Sequence, residues 1–375
     1  MRLELVPATA WSHSRSSWSP RCAPTVATAS AGRLLVAIIG DCHSQWDERD
    51  AAALELLAPD LALFVGDFGN QEDKQTVAAV AASSVRHKAS IFGNHDVMWL
   101  TRKWRGHHPL SWYRGHAATK MAMTHDERPV FSDEAVEELH RLLEDSDVGY
   151  RRRDFDALGL SVVGGRPFSS GGQPNAARPH LQKSKFYRWH WRVRSLEQSA
   201  ARIVRAARGA PPSHDIIMLA HNGPAGLGGT VDAPCGRDWS SGARKVQPRD
   251  WGDADLRMAL DEARASGLRV PLVAFGHMHE RLQRGAGVEL RRMVAREGAT
   301  TFVNAARVPR WRDGADGERE GALTLVELAR DGDGGGTPTD GDGGGWEVER
   351  VRQVWLSAAG EVTEERIEAL EPVRV

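Results

Sequence analysis

Short apolar runs recur along the chain, and polar residues follow directly after many of them. Runs of this length and composition predict buried strands, and five of them precede polar motifs: Leu34–Ile39, Leu61–Val65, Ala89–Phe92, Ile216–Leu219 and Leu272–Phe275. Apolar residues at helical spacing predict helices at Asp47–Leu57, Glu72–His87, Ser132–Leu143, Leu196–Arg208 and Asp253–Ala265. Further strands are predicted at Leu160–Val163, Thr301–Val303, Ala322–Glu327 and Glu347–Leu356.

The order of these elements predicts an α/β fold. Strands near both ends of the chain, with helices between them, indicate a two-sheet β-sandwich flanked by helices. Sites in open α/β sheets form at the carboxyl ends of the strands. We therefore expect the polar residues that follow the strands to lie close together.

Composition narrows the class of protein. The chain has 375 residues, of which 41% are hydrophobic, so it can bury a substantial core. Its formal net charge of −1 provides no overall field for nucleic acid or a membrane surface, and no apolar run approaches the ~20 residues that span a bilayer. Three cysteines, Cys22, Cys42 and Cys235, are too few for a disulfide framework and favour a reducing compartment.

Two segments differ in composition from the rest of the predicted domain, residues 34–375. Residues 1–33 contain four arginines, many Ser, Thr and Ala, and one acid, Glu4. This is typical of an organelle transit peptide, with chloroplast ahead of mitochondrion; the alternative is a disordered tail of a cytoplasmic protein. Residues 331–345 consist of Gly, Asp, Thr and Pro, and they predict a flexible insertion in a hairpin rather than a calcium loop.

Five polar motifs carry the candidate chemistry. They are Asp41-Cys42-His43, Gly66-Asp67, Gly93-Asn94-His95-Asp96, Ala220-His221-Asn222 and Gly276-His277-Met278-His279. In an extended chain, side chains two positions apart face the same side, so a carboxylate and an imidazole of the first motif can reach one ion. Oxygen and imidazole ligands in this number suit a pair of divalent metal ions, and such a pair suits hydrolysis of a phosphate ester.

As an ordered set, these motifs resemble the calcineurin-like metallophosphoesterase superfamily, whose pattern is D-x-H, GD, GNH-D/E, an isolated His and GHxH. The resemblance covers residues 34–304, and segments 221–228 and 234–239 resemble a cyanobacterial and plastid branch of unassigned substrate. It implies a metallophosphoesterase-like αββα fold. It also implies two divalent or trivalent ions (Mn, Fe or Zn), one held by Asp41, His43, Asp67 and His279 and the other by Asp67, Asn94, His221 and His277.

The resemblance further implies roles for His95 and Asp96. His95 matches the catalytic histidine, which would stabilise the charge of the pentacoordinate phosphoryl group or protonate the leaving group. Asp96 matches the acid that orients the ring of His95. The alternative makes His95 only a structural neighbour of Asn94. The expected reaction is attack of a metal-activated hydroxide on a phosphoric ester.

Two basic segments rich in aromatic residues, Val97–Met121 and Arg166–Arg194, are candidates for substrate selection. They predict either a positively charged rim that attracts a phosphorylated substrate, small or protein-borne, or a solvated basic face over buried aromatics. Arg166 follows Gly164-Gly165 at a strand end, and it is the candidate phosphate contact. A nuclease and a non-catalytic metal-binding scaffold are the alternatives to a phosphatase; the neutral charge disfavours the first, and the full ligand set disfavours the second.

Overall fold

The computed structural model of the chain describes residues 32–69, 74–96, 133–172, 187–188, 190–239, 247–283, 289–330 and 344–372. Two mixed sheets pack face to face and carry helices on their outer sides, which confirms the predicted α/β sandwich. The strands in these residues are β1 (Arg33–Ile39), β2 (Leu61–Phe64), β3 (Lys88–Ser90), β4 (Arg152–Phe155), β5 (Leu160–Gly164), β6 (Asp215–Asn222), β7 (Leu272–Gly276), β8 (Val294–Glu297), β9 (Thr300–Asn304), β10 (Trp311–Asp313), β11 (Arg319–Arg330), β12 (Trp346–Leu356) and β13 (Val362–Glu368).

The first sheet has the strand order β13-β12-β11-β1-β2-β3, and β10 also pairs with β11. Strands β1, β2 and β3 run parallel, whereas β11, β12 and β13 pair antiparallel. The second sheet has the order β4-β5-β6-β7-β9-β8, in which β5, β6, β7 and β9 run parallel. The carboxyl ends of the parallel strands therefore gather at one edge of each sheet.

Alternation of side chains along the parallel strands builds two cores. In β1, Val36 and Ile38 pack between the sheets, whereas Ala37 and Ile39 face the helices. The same alternation in β2, β6 and β7 explains why these strands read as continuous apolar runs, since both of their faces are buried. Trp346 of the first sheet joins the two sheets at the edge where β6 begins. Its backbone N–H donates to Asp215, and its indole N–H donates to the carbonyl of Leu158.

The helices in the described residues are α1 (Glu48–Leu57), α2 (Lys74–Ala82), α3 (Asp133–Leu143), α4 (Leu196–Arg208) and α5 (Ala254–Ala265). Asp47 caps α1 by accepting from the backbone N–H of Arg49 and Asp50, and Ser195 caps α4 by accepting from Gln198. Helix α2 packs against α1 and α3, whereas α4 packs along α5 and against β5 of the second sheet.

The boundaries of one predicted helix are wrong. The pattern predicted a helix over Glu72–His87, but α2 ends at Ala82. The ammonium group of Lys88, which lies outside the helix, donates to the carbonyls of Val80, Ala81 and Ser83. It thereby provides partners for carbonyls at the end of the helix. Lys88 in turn begins β3, one residue before the predicted start.

Several predicted segments lie outside the described residues. These are the N-terminal segment up to residue 31, the basic segment Val97–Met121, much of Arg166–Arg194, and residues 331–343 of the Gly/Asp-rich run. The strands on either side of that run, β11 and β12, pair antiparallel with Arg330 opposite Trp346. The transit peptide, its compartment and the domain boundaries stay predictions. In the described part of the chain, no helix is both long and apolar enough to cross a membrane.

Candidate metal centre

Glycines in the polar motifs allow the loops at this edge to approach each other closely. A Cβ atom at Gly93 would lie 2.2 Å from Oδ1 of Asp67, and one at Gly276 would lie 2.2 Å from Oδ1 of Asp41. Gly66 has φ +95, and a Cβ atom there would lie 2.3 Å from the backbone nitrogen of Gly93. Any larger residue at these positions would displace a buried carboxylate or a neighbouring loop.

The structure brings the predicted ligands from five loops into one cluster. Three groups each have ligand atoms within 4.8 Å of one another: Asp41, His43 and His279; His43, Asp67 and His95; and Asp67, His221 and His277. Nε2 of His279 lies 3.3 Å from Oδ2 of Asp41, and Nε2 of His221 lies 3.4 Å from Oδ1 of Asp67. Neither carboxylate is exposed beyond 1%.

Asn94 joins the group around Asp67, because its Oδ1 lies 3.0 Å from Nε2 of His221. The other ring nitrogen of His221, Nδ1, lies 2.8 Å from the carbonyl of Val65, which fixes the ring with Nε2 aimed at the cluster. All seven predicted ligand residues therefore lie together: Asp41, His43, Asp67, Asn94, His221, His277 and His279.

One detail of the local geometry differs from expectation. The spacing of Asp41 and His43 predicted an extended segment, but His43 has φ 45 and Ser44 has φ 64, so the chain turns there. The backbone N–H of His43 donates to the carbonyl of Asp67, and this hydrogen bond ties the turn to the next loop. Cys42 packs into the core, away from the cluster.

Charge within the cluster is organised around the two carboxylates. Burial raises the pKa of Asp41, but the hydrogen bond with His279 and the charge of His221 outweigh it and hold that pKa at about 2. Burial also raises the pKa of Asp67, but the charge of His221 and its hydrogen bond outweigh burial and hold that pKa well below its usual value. Burial lowers the pKa of His221, but Asp67 raises it to about 9. Burial and the charge of His221 lower the pKa of His277 to about 3.

This donor set fits divalent transition metals. Carboxylates and imidazoles are ligands that Zn, Fe and Mn accept. The two carboxylates and five imidazoles of the three groups aim ligand atoms at common points within 4.8 Å.

Asp96 does not hold the ring of His95, so the orienting contact expected from the sequence is not made in this structure. Its carboxylate accepts instead from backbone N–H groups of the two loops around it, those of Asp67, Phe68, Gly69 and Gly93. Burial and the charge of Asp67 raise its pKa to about 8. Asp96 therefore fixes the loops that present Asp67 and Asn94.

His95 lies at the mouth of the cluster, with its side chain 31% exposed. Its Nε2 is 3.9 Å from Oδ2 of Asp67, and its ring meets that of His43 edge-on at 4.9 Å between centroids. Burial lowers its pKa, and the charge of Asp67 offsets only part of that effect. It is placed beside the ligand cluster, where it can act on a bound substrate.

The structure buries Arg166 against two carboxylates. Its guanidinium is 5% exposed; Nη2 donates to Asp253 at 2.7 Å and Nε donates to Asp255 at 2.8 Å. It also lies over the ring of Tyr187. None of these partners belongs to the ligand cluster, so the prediction that Arg166 contacts phosphate is not supported. The local pattern could not show this, because both carboxylates lie more than 80 positions further along the chain.

Two buried residues around the cluster were missed by sequence reasoning. Arg291 donates to the carbonyl of His279, and Asn304 donates to the carbonyl of Met278. Neither residue stands in a motif, and the contact of each with the ligand loop is to its backbone rather than to a ligand side chain. The sequence therefore carries no local signal for them.

Residues 34–281 match the family model described as calcineurin-like phosphoesterase. The chain belongs to this family, which places it among metal-dependent phosphoester hydrolases. No curated protein matches the chain.

Solved structures with a similar fold share little sequence with it. The calcineurin-like phosphoesterase YfkN from Bacillus subtilis has a TM-score of 0.40 and 13% identity, over 91% of this chain and 93% of that one. TT1561 of Thermus thermophilus has a TM-score of 0.36 and 11% identity, over 77% and 93%. A putative 5'-nucleotidase from Staphylococcus aureus, solved in complex with alpha-ketoglutarate, has a TM-score of 0.40 and 12% identity, over 92% and 55%. Likeness at this level adds nothing to the family assignment.

Proposed function

We propose that the chain hydrolyses phosphoric esters with a dinuclear metal centre. The observation that carries the proposal is the central position of Asp67. This one buried carboxylate has His43 on one side, with Nε2 3.8 Å from its Oδ2, and His221 on the other, with Nε2 3.4 Å from its Oδ1. It can therefore serve two ions at once. One ion would be held by Asp41, His43, Asp67 and His279, and the other by Asp67, Asn94, His221 and His277, residues that lie together in this cluster.

When bound, such ions supply Lewis-acid activation of the phosphoryl group and of a water molecule. Mn, Fe and Zn all accept this mixture of imidazole and oxygen donors. The protein keeps the donors in place through contacts outside the ligand atoms. Examples are the hydrogen bond from the backbone N–H of His95 to Asp67 and the contact of His221 with the carbonyl of Val65.

His95 is the residue that we assign to the reacting phosphoryl group. Its imidazole is partly exposed at the mouth of the cluster. In its protonated form, which the negative charge of a bound phosphoryl group would favour against the effect of burial, it would stabilise negative charge that develops on the phosphoryl oxygens or give a proton to the leaving oxygen. The substrate is a phosphorylated molecule, small or protein-borne, and both monoesters and diesters fit this chemistry.

Metal analysis followed by an activity panel tests this function. Purified protein stripped with a chelator is loaded with Mn, Zn or Fe, and bound metal is counted. Hydrolysis is then measured with p-nitrophenyl phosphate, bis-p-nitrophenyl phosphate and a set of phosphorylated metabolites. We expect two ions per chain and turnover that requires them.

Each other outcome has a distinct meaning. One ion per chain contradicts the dinuclear centre. Two ions without turnover of any ester indicate a metal-binding scaffold. Turnover confined to nucleic acid, tested with single- and double-stranded DNA and RNA, indicates a nuclease.

A further inference from the structure

Arg291 lies beside the loop that carries His277 and His279. Its backbone N–H donates to the carbonyl of Glu280 at 2.8 Å, and the backbone N–H of Leu282 donates to that of Glu289 at 2.9 Å. The residues just before β8 thus pair with the residues just after His279. The side chain of Arg291 is 3% exposed. A guanidinium is therefore buried directly against the ligand loop.

This guanidinium joins two loops. Its Nε donates to the carbonyl of His279 at 3.0 Å. Its Nη1 donates to three carbonyls of the loop between β6 and α5, those of Val231 at 3.2 Å, Ala233 at 2.7 Å and Gly236 at 2.6 Å. Because the fork of an arginine is planar and rigid, these contacts fix the distance between the two loops as well as holding each of them.

The hydrogen bonds of Arg291 compensate for the burial of its positive charge. A buried cation is costly unless its donors are satisfied. Its one carboxylate partner in the described residues, Asp238, lies 3.6 Å from Nη2, which is beyond a good hydrogen bond. Backbone carbonyls therefore provide most of the compensation, and one of them belongs to a predicted metal ligand.

Asn304 makes a second link between the same two loops. It lies at the end of β9 and is fully buried. Its Nδ2 donates to the carbonyl of Met278 at 2.7 Å and to that of Pro234 at 3.1 Å. Arg291 and Asn304 therefore each bind backbone carbonyls of both loops, the ligand loop and the loop between β6 and α5. Both lie beyond residues 34–281, the part of the chain that matches the family model.

We infer that Arg291 is a positioning residue for the metal centre, which acts by holding the backbone of His279 so that its imidazole meets Asp41. The inference rests on the proposed metal centre. Contacts of this kind around a ligand commonly change metal affinity by about 10- to 100-fold when they are removed. We expect Arg291→Ala to weaken binding of one Mn²⁺ ion by about tenfold or more in protein that is still folded.

Arg292→Ala is the matched control. Arg292 is the next residue, has the same side chain and binds the same loop, since its Nε donates to Asp232 and its Nη2 donates to Thr230. Its described contacts do not include the ligand loop. Mn²⁺ binding is measured on metal-stripped protein by calorimetry and by electron paramagnetic resonance, at a temperature where circular dichroism shows each variant folded.

A double-mutant cycle distinguishes a positioning role from a general structural one. If Arg291 acts through His279, then Arg291→Ala weakens Mn²⁺ binding in the wild-type background but has no further effect in His279→Ala. Additive effects of the two substitutions, or equal affinity in Arg291→Ala and Arg292→Ala, overturn the inference. If Arg291→Ala does not fold, Arg291→Lys takes its place, because it keeps the charge and loses the fork.

The failure of this inference and of the proposed function give different results. Wild-type protein that binds no Mn²⁺ contradicts the metal centre itself. Wild-type protein that binds two ions, together with an Arg291→Ala variant of unchanged affinity, contradicts only the role of Arg291.

Discussion

The backbone N–H of His95 donates to Oδ1 of Asp67 at 2.7 Å. His95 thus has two separable parts: its backbone holds the central carboxylate of the cluster, and its imidazole lies partly exposed at the mouth. A substitution that changes only the side chain leaves the first function in place. This separation makes the proposed catalytic role testable without disturbing the metal centre.

We expect His95→Ala to lower kcat by roughly 100- to 10,000-fold, the range that positioned acid–base groups contribute. Bound metal should stay at the wild-type level, because alanine keeps the N–H group that holds Asp67. Steady-state kinetics checks the expected loss of kcat, and metal counting on the same sample checks that the metal content is unchanged. Unchanged turnover would assign His95 to a structural role only.

Asp67→Asn should reduce the metal content of the protein at both positions. Asp67 is within reach of His43, His95 and His221, and an amide replaces its negative charge with a neutral oxygen. We expect at most one ion per chain, counted after gel filtration. Asp261→Asn is the control, because that carboxylate lies on α5, is 52% exposed and pairs with Arg257. Two tightly held ions in Asp67→Asn would show that the carboxylate is not shared.

Arg166→Ala should destabilise the protein rather than raise KM. The substitution leaves the buried carboxylates Asp253 and Asp255 without their cation, and breaking a buried pair in this way costs about 3–5 kcal/mol. Urea unfolding measures the loss. Arg208→Ala is the matched control, since Arg208 pairs with Glu262 on the surface with both side chains 53% exposed. A raised KM with unchanged unfolding free energy would restore the role that the sequence predicted for Arg166.

Glu297 should contribute stability that depends on pH. It accepts hydrogen bonds from Arg257, the larger effect, and from Arg264, and together they lower its pKa from 4.5 to about 2. Because the folded-state pKa is the lower one, this stability is complete above the unfolded pKa and is lost as the pH falls toward 2.

We expect Glu297→Gln to cost about 1 kcal/mol near neutral pH, a value reduced for the partial exposure of the pair. The difference in Tm between variant and wild type should shrink steadily below pH 4.5. Glu262→Gln, at an exposed pair, should show little difference at any pH. A Tm difference for Glu297→Gln that stays constant with pH would contradict the assignment.

Sequence reasoning succeeded where the signal was local. The central strands are buried on both faces, so their apolar runs were readable, and each ligand motif follows such a run directly. Strands β4, β8, β10 and β13 were missed. Of these, β4, β8 and β13 lie at sheet edges and carry charged residues, a composition that protects edges from pairing with other chains.

Within the site, contacts between residues distant in the sequence limited what could be predicted. The residues of the cluster were predicted, but the contacts that support them were not. Asp253 stands at the N-cap position directly before α5 but makes no capping hydrogen bond with its side chain, which accepts instead from Arg166 and Ser169. Likewise, nothing near Asp96 in the sequence shows that its carboxylate faces four backbone amides instead of an imidazole.

The ligand cluster draws on both layers of the sandwich. Asp41, Asp67 and Asn94 follow strands of the first sheet, whereas in the second sheet His221 lies near the end of β6 and His277 follows β7. Ions bound among them would therefore cross-link the layers at this edge, as Trp346 does at the opposite one. Metal binding would then contribute to the stability of the fold as well as to the chemistry, and protein without metal would lack the cross-link at this edge.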